Sequence, residues 1–234
     1  MDELQLDPVF DNYCVMGNPI AHSKSPDIHH AFALQTREKI HYQSILVPVG
    51  EFPKLVKQFQ QKGGKGINVT VPYKEEAWDF VNTRTERAEQ AGAVNTIWFD
   101  ESGNSFGDTT DGTGLINDLI NHDISIENKK ILILGAGGAV RGVIANLVEL
   151  QPTSILIANR TQRNAEKLID RFPAYSQLDI CGFAGLSDKG NFDLIINSIP
   201  AGLTADLPPL PKNIVADAGC CYDMVYGESD TLFI

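Results

Sequence analysis

Positive charge is scarce in this chain. Its 234 residues carry 19 Lys and Arg against 30 Asp and Glu, a formal net charge of −11. No nucleic-acid partner is expected, because neutralising phosphates requires clustered Lys and Arg. Long apolar runs are missing as well. No stretch approaches the ~20 apolar residues of a membrane span, so no membrane partner is expected. The first residues, MDELQLD, are acidic and lack the basic and apolar regions of a signal peptide. Cysteine is rare: Cys14, Cys181, Cys220 and Cys221 are spaced neither as a zinc knuckle nor as a small disulfide framework. They read as reduced thiols of a cytoplasmic protein. The five histidines form no H-E-x-x-H arrangement. His29 and His30 are adjacent, point differently on a helix and read as structural or surface residues. No metal site is expected.

Apolar residues, in contrast, are ample. They make up 43% of the chain against 21% charged, enough to build real cores. The length suits one large domain or two modest ones. Strand and helix patterns alternate. YCVMG (13–17) reads as a buried strand and SPDIHHAFALQ (25–35) as a helix. There Ser25 can cap, Pro26 suits the first helical position, and Ile28, Ala31, Phe32 and Gln35 recur at helical spacing. A strand is expected over 41–49. A helix over 51–61 follows, with Phe52, Leu55, Val56 and Phe59 on one face. Strands over 66–72 and 93–99 come next, then a helix over 111–122.

The pattern restarts with a buried strand over 129–135 and a helix to about Leu150. Then come a strand over 154–160, a helix over 162–172 and strands over 192–198 and 213–218. Such alternation implies α/β architecture with parallel sheets and helical crossovers. The polar stretch HDISIENKK (122–130) marks a domain boundary. We expect two α/β domains, 1–110 with a mainly parallel sheet and 123–234 of Rossmann type, joined by a connecting helix over 111–122.

ILILGAGGAVRG (131–142) is strand, glycine turn and helix. Gly135 allows a tight turn and Gly137 a close approach of backbone to pyrophosphate. Gly138 and Ala139 keep the opening of the helix slim, and Ala136 lies between. The helix start offers N–H groups to an anion. Val140 stands where the strict G-x-G-x-x-G/A pattern wants a small residue. The next strand ends in Asn159, Arg160 and Thr161, where an NAD site carries an acidic residue about 20 residues on. A guanidinium grips a ribose 2′-phosphate that a carboxylate would repel. NADP(H) is therefore the expected cofactor, in preference to NAD(H).

NVTVPYKE begins as a strand, with Val69 and Val71 alternating with Asn68 and Thr70. Pro72 then has no N–H for a ladder, and Lys74 stands just beyond. Together with NPIAHSKSP (18–26), GAVNTI (92–97), TDGTG (110–114), GAGGAVRG (135–142), NRT (159–161) and CYDMVY (221–226), this order of motifs resembles the shikimate dehydrogenases over nearly the whole chain. The resemblance implies NADPH-dependent reduction of 3-dehydroshikimate to shikimate, in aromatic amino-acid biosynthesis, by two α/β domains.

It further implies that Lys74 is the main acid/base and Asp111 its partner on the substrate hydroxyls. A free lysine has a pKa of about 10.4. Partial burial would lower it while Asp111 would hold it charged. Ser23 and Ser25 resemble the hydroxyl pair that binds the carboxylate, although Ser25 also reads as a plain helix cap. Thr70, Asn95, Asp111 and Tyr222 would contact the substrate. Asn95 has a backbone partner as its other reading. Two alternatives stand beside this function: a quinate/shikimate dehydrogenase of broader specificity, and a non-catalytic sensor of shikimate-like acids and nucleotide. Monomer and homodimer are both open.

Four departures from the family accompany the resemblance. Thr109 replaces an asparagine two residues before Asp111. A basic residue expected at position 164 is Asn164, with Arg163 one earlier, about 100° away around a helix. NSIP (197–200) puts Ile199 and Pro200 where hydroxyls are usual. The chain stops at VYGESDTLFI, where the family continues into helices, one carrying a substrate-binding glutamine. The expectation is a fragment or a shortened member with weakened substrate affinity.

Overall fold

The computed structural model describes residues 6–199, 209–225 and 231–234. The chain divides into two compact units, Met1–Thr110 and Asp111–Ile234. The helix over 111–121 falls in the second unit, where it packs on the helix that follows the glycine loop.

In the first unit the elements are β1 (Asp11–Gly17), α1 (Ser25–Thr36), β2 (Ile40–Leu46), α2 (Phe52–Gln61), β3 (Gly64–Val69), α3 (Lys74–Phe80), β4 (Thr83–Arg84), α4 (Glu86–Ala91), β5 (Thr96–Phe99) and β6 (Ser105–Asp108). The sheet order is β2-β1-β3-β5-β6-β4. β1 pairs in parallel with β2 and β3, and β4 with β6, while β5 runs antiparallel to both β3 and β6. The sheet is therefore mixed. The antiparallel β5–β6 pair is joined by the tight turn after Asp100, where Asp100 N–H donates to Asn104 O at 3.1 Å. Such a two-strand return needs no crossover helix.

Helix α2 carries the amphipathic face read from its spacing: Phe52, Val56 and Phe59 are buried against Met16, Val69, Tyr73 and Ile97. Helix α1 forms over the expected residues with Pro26 in its first turn, but it turns another face inward. His29 and Ala33 are half-buried, whereas Ile28 and Phe32 are 46% and 55% exposed. The stacking of His29 on Tyr42 of β2 sets this rotation, with ring centroids 4.1 Å apart.

The second unit contains α5 (Asp111–Asn121), β7 (Lys130–Leu134), α6 (Gly138–Glu149), β8 (Ser154–Ala158), α7 (Gln162–Ile169), β9 (Leu178–Cys181), a 3-10 turn over Phe183–Asp188, β10 (Phe192–Asn197) and β11 (Val215–Asp223). Its five strands are all parallel, in the order β11-β10-β7-β8-β9. Ile131 and Ile133 meet α6 on one face of β7, and Leu132 and Leu134 join a second apolar cluster. Both faces are covered, which is why KILIL reads as an unbroken apolar run. The chain winds outward from β7 through β8 and β9, then returns to the other side with β10 and β11. Ligands of open parallel sheets bind at the carboxyl ends of strands beside such a reversal.

Candidate active site

In the first unit, the carboxyl ends of β1 and β3 hold most of the residues singled out above. Strand β3 ends at Val69, three residues before Pro72, so pairing stops earlier than Pro72 alone requires. Thr70 N–H still donates to Met16 O at 3.0 Å, and Tyr73 N–H donates to Thr70 O at 3.0 Å to close a turn. The cis peptide Val71–Pro72 lies within that turn. Tyr73 is buried, and its hydroxyl donates to Val47 O at 2.8 Å. The turn thus ends on a fixed point, and Lys74 follows as the first residue of α3, half-buried. Val94 N–H donates to Lys74 O at 2.9 Å, which holds the Lys74 backbone to the segment carrying Asn95.

The loop after β1 brings Ser23 and Ser25 to the same edge. Ser25 is the first helical residue and not the cap: Lys24 occupies the cap position, and Ser25 N–H donates to Ser23 Oγ at 3.3 Å. Ser23 thereby satisfies one N–H of an N-terminus whose partial positive charge favours a carboxylate. Asn95 leads into β5, and its carbonyl accepts from Val69 N–H at 2.7 Å. Its side chain is tied to the loop before Asp111: Asn95 Nδ2 donates to Thr110 Oγ1 at 2.9 Å, and Asn95 Oδ1 accepts from Thr110 N–H at 3.1 Å.

Asp108 anchors the start of this loop, accepting from Thr85 Oγ1 at 2.6 Å, from Arg87 Nε at 2.7 Å and from Thr109 N–H at 2.8 Å. Burial alone would raise the Asp108 carboxyl. The Arg87 and Thr85 hydrogen bonds and the Arg87 charge outweigh burial and hold it below the ordinary carboxylate range. Neither Arg87 nor Asp108 had a sequence signal, because they meet only through the β4–β6 pairing. Thr109 is buried, and its hydroxyl has no hydrogen-bond partner among the described residues.

Asp111 opens α5 and belongs to the second unit, unlike Lys74. In that unit the glycine loop follows β7. Gly135 has φ +107°, a conformation that L side chains rarely adopt, and its N–H donates to Ala158 O at 2.8 Å. Gly137 is the cap residue of α6, with no side chain capping the helix. A Cβ built on Gly137 would meet nothing within 4 Å, so the backbone there is open to approach. Ala136 is buried, and Gly138 and Ala139 form the first turn of α6.

Asn159, Arg160 and Thr161 follow β8. Asn159 Nδ2 donates to Thr161 O at 2.9 Å, which shapes this short loop and leaves Arg160 exposed. Arg163 and Asn164 are both exposed on the first turn of α7. Ser198 Oγ donates to Leu134 O at 2.8 Å, and Ile199 N–H donates to Asn197 Oδ1 at 3.1 Å. Pro200 and Tyr226 lie outside the described residues. Tyr222 sits on β11, and its hydroxyl donates to Asp118 Oδ2 of α5 at 2.8 Å. Burial, then the Asp118 hydrogen bond and charge, push its phenol up to about 12. Among the described residues, no cluster of His, Cys, Asp and Glu is arranged to hold a metal ion. No helix among them is long and apolar enough to cross a membrane.

Comparison with known proteins decides the family. The profile described as "Shikimate dehydrogenase substrate binding domain" matches residues 15–97, and "Shikimate / quinate 5-dehydrogenase" matches residues 118–203. A protein of Alkalilimnicola ehrlichii named "Shikimate dehydrogenase (NADP(+))" is 49% identical over 225 residues, covering 96% of this chain and 82% of that relative. The chain belongs to the shikimate dehydrogenase family. Among solved structures, an Ael1 enzyme from Pseudomonas putida matches with a TM-score of 0.84 and 38% identity, over 95% of this chain and 82% of that one. A shikimate 5-dehydrogenase from Thermus thermophilus, solved in complex with NADP(H) and shikimate, matches with a TM-score of 0.79 and 29% identity, over 93% of this chain and 79% of that one. The first profile falls within the unit that carries Ser23, Ser25, Thr70, Lys74 and Asn95. The second spans the glycine loop and the Asn159–Thr161 stretch.

Proposed function

We infer that Lys74 and Asp111 handle the proton, and that Ser23, Ser25, Thr70, Asn95 and Tyr222 bind the substrate, of an NADP-dependent shikimate dehydrogenase. The chain is an oxidoreductase of the shikimate pathway, acting reversibly on a CH–OH group with NADP(H). In this reading residues 1–110 form the substrate-binding catalytic domain, 123–234 the NADP-binding domain and 111–122 the helix connecting them. The observation that carries it is the gathering of Ser23, Ser25, Thr70, Lys74 and Asn95 on one edge of one sheet. They share that edge although they come from three separate stretches of sequence.

The glycine loop fits a dinucleotide. Gly137 leaves open space where a side chain would stand, and the uncapped start of α6 presents N–H groups to pyrophosphate. Gly135 to Ala139 would hold the pyrophosphate, and Asn159, Arg160 and Thr161 the 2′-phosphate end. When bound, NADPH supplies the hydride that the ketone carbon needs. The chain's own residues do the rest. The Lys74 ammonium donates a proton to the ketone oxygen as it becomes a hydroxyl, and takes it back in the reverse direction. Asp111 accepts hydrogen bonds from ring hydroxyls. Ser23 and Ser25 donate to the carboxylate at the N-terminus of α1. The four cysteines are free, which supports a reducing compartment, the cytoplasm.

The test is NADPH oxidation followed by ultraviolet absorbance with 3-dehydroshikimate, on the parent and on Lys74→Ala. We expect turnover in the parent, and a loss of about 10²–10⁴-fold in the variant with nucleotide affinity kept. An inactive parent, or a variant as active as the parent, would refute the assignment.

A further inference from the structure

We propose that Tyr42 is a positioning residue, the start of a one-way chain of hydrogen bonds that presets Asn95 for the substrate. This rests on the reading above that the Asn95 side chain binds it. Tyr42 lies on β2, is 3% exposed and had no place in the motifs. Its hydroxyl donates to Asn68 Oδ1 at 2.7 Å. Asn68 Nδ2 lies 3.4 Å from both Asn95 O and Thr96 Oγ1. Thr96 Oγ1 donates in turn to Asn95 Oδ1 at 2.8 Å.

The direction of every link follows from two backbone groups. Asn95 O is a carbonyl and can only accept, so the Asn68 nitrogen faces it and the Asn68 oxygen faces Tyr42. Tyr42 has one proton and gives it to that oxygen. At the other end, Thr110 N–H can only donate, so the Asn95 oxygen faces it. Thr96, approached by the Asn68 nitrogen, therefore donates to the same oxygen. The sense runs Tyr42, Asn68, Thr96, Asn95 without a break. It leaves the Asn95 amide in one orientation, with its nitrogen toward Thr110 Oγ1.

The rest of the setting locks Tyr42 in place. His29 stacks on its ring with an interplanar angle of 11°, and His29 Nδ1 donates to Ser25 O at 2.9 Å. Burial pushes the Tyr42 phenol well above its ordinary range, so it stays a neutral donor throughout the working pH range.

Two substitutions test the chain of bonds at different links. Tyr42→Phe keeps the ring stack and removes the hydroxyl. Thr96→Val removes Oγ1 on a half-buried strand. Each should raise KM for shikimate roughly 3–10-fold, with kcat and KM for NADP+ within about twofold of the parent, because binding lost equally in ground and transition states appears in KM. The double variant should show less than the product of the two effects, since either cut severs the same chain. In substrate-free, 15N-labelled protein, the side-chain amide signals of Asn95 should move in both single variants. Unchanged KM, fully multiplicative effects or unmoved Asn95 signals would overturn the proposal. Should Tyr42→Phe fail to fold, Thr96→Val decides alone. A parent inactive on shikimate would count against the function proposed above, while the amide signals still test the relay without substrate.

Discussion

Replacing Gly135 by alanine should cost the second unit about 2–4 kcal/mol. Two effects contribute. The backbone sits at φ +107°, and holding a side chain in so sparsely populated a region costs about 1–3 kcal/mol. The new Cβ would also lie 2.4 Å from Ser198 Oγ, so that hydroxyl must swing away. It would then give up its 2.8 Å bond to Leu134 O, worth about 1 kcal/mol. Typical domain stability is about 5–15 kcal/mol, so the protein should still fold. For a chain of this size the melting temperature should fall by roughly 4–16 °C.

A double-mutant cycle separates the two effects. Ser198→Ala alone loses the hydrogen bond. In the Gly135→Ala background that bond is already gone, so removing Oγ should cost little and relieve the contact. Thermal melts of the parent, both single variants and the double variant, together with NADP+ titrations, read this out. Nucleotide affinity should fall in both variants that carry the Gly135→Ala substitution, because the loop that offers its N–H groups to pyrophosphate starts at this residue. A Gly135→Ala variant that melts with the parent would refute the strain argument. Strictly additive effects of the two substitutions would refute the steric one.

Two further outcomes follow from the charged groups. Arg160→Ala should cut NADP+ affinity by about one to two decades while leaving NAD+ affinity nearly unchanged; competitive titration of both nucleotides checks this, and equal losses for the two would remove Arg160 from the 2′-phosphate. Asp108→Asn should destabilise the first unit at neutral pH but not in acid. The native Asp108 carboxyl titrates below its ordinary 3.8, so its contribution is full above that value and lost as pH falls through the lower native one. Denaturant melts of the parent and Asp108→Asn should converge at low pH; a gap that stays constant down to about pH 2 would contradict the linkage.

Local chemistry made several parts of the site readable. A glycine between an apolar run and a helix calls for positive φ, and Gly135 has it. A proline and a lysine after a strand call for a turn and a new element, and Lys74 opens α3. The unbroken apolar run of β7 required cover on both faces, and the parallel sheet supplies it. These features depend on residues within a few positions of one another, where propensity and backbone sterics act directly.

Other features were decided only when distant segments met. Spacing on α1 favoured Ile28 and Phe32 as its buried face, but the position of Tyr42 turned His29 and Ala33 inward instead. Ser25 was readable as a cap; the path of the loop after β1 made it the first helical residue and gave Ser23 the bond to its N–H. Tyr222 carried no visible partner, and its bond to Asp118 spans 104 positions. The relay through Tyr42, Asn68 and Thr96 joins β2, β3 and β5, whose register is set by pairing across the sheet. A shift of one residue in any of those pairings would send these side chains to the opposite face. The sequence alone therefore determined the family motifs, the nucleotide loop and most element types. Which polar groups meet, and which way each hydrogen bond points, awaited the register of the folded sheet.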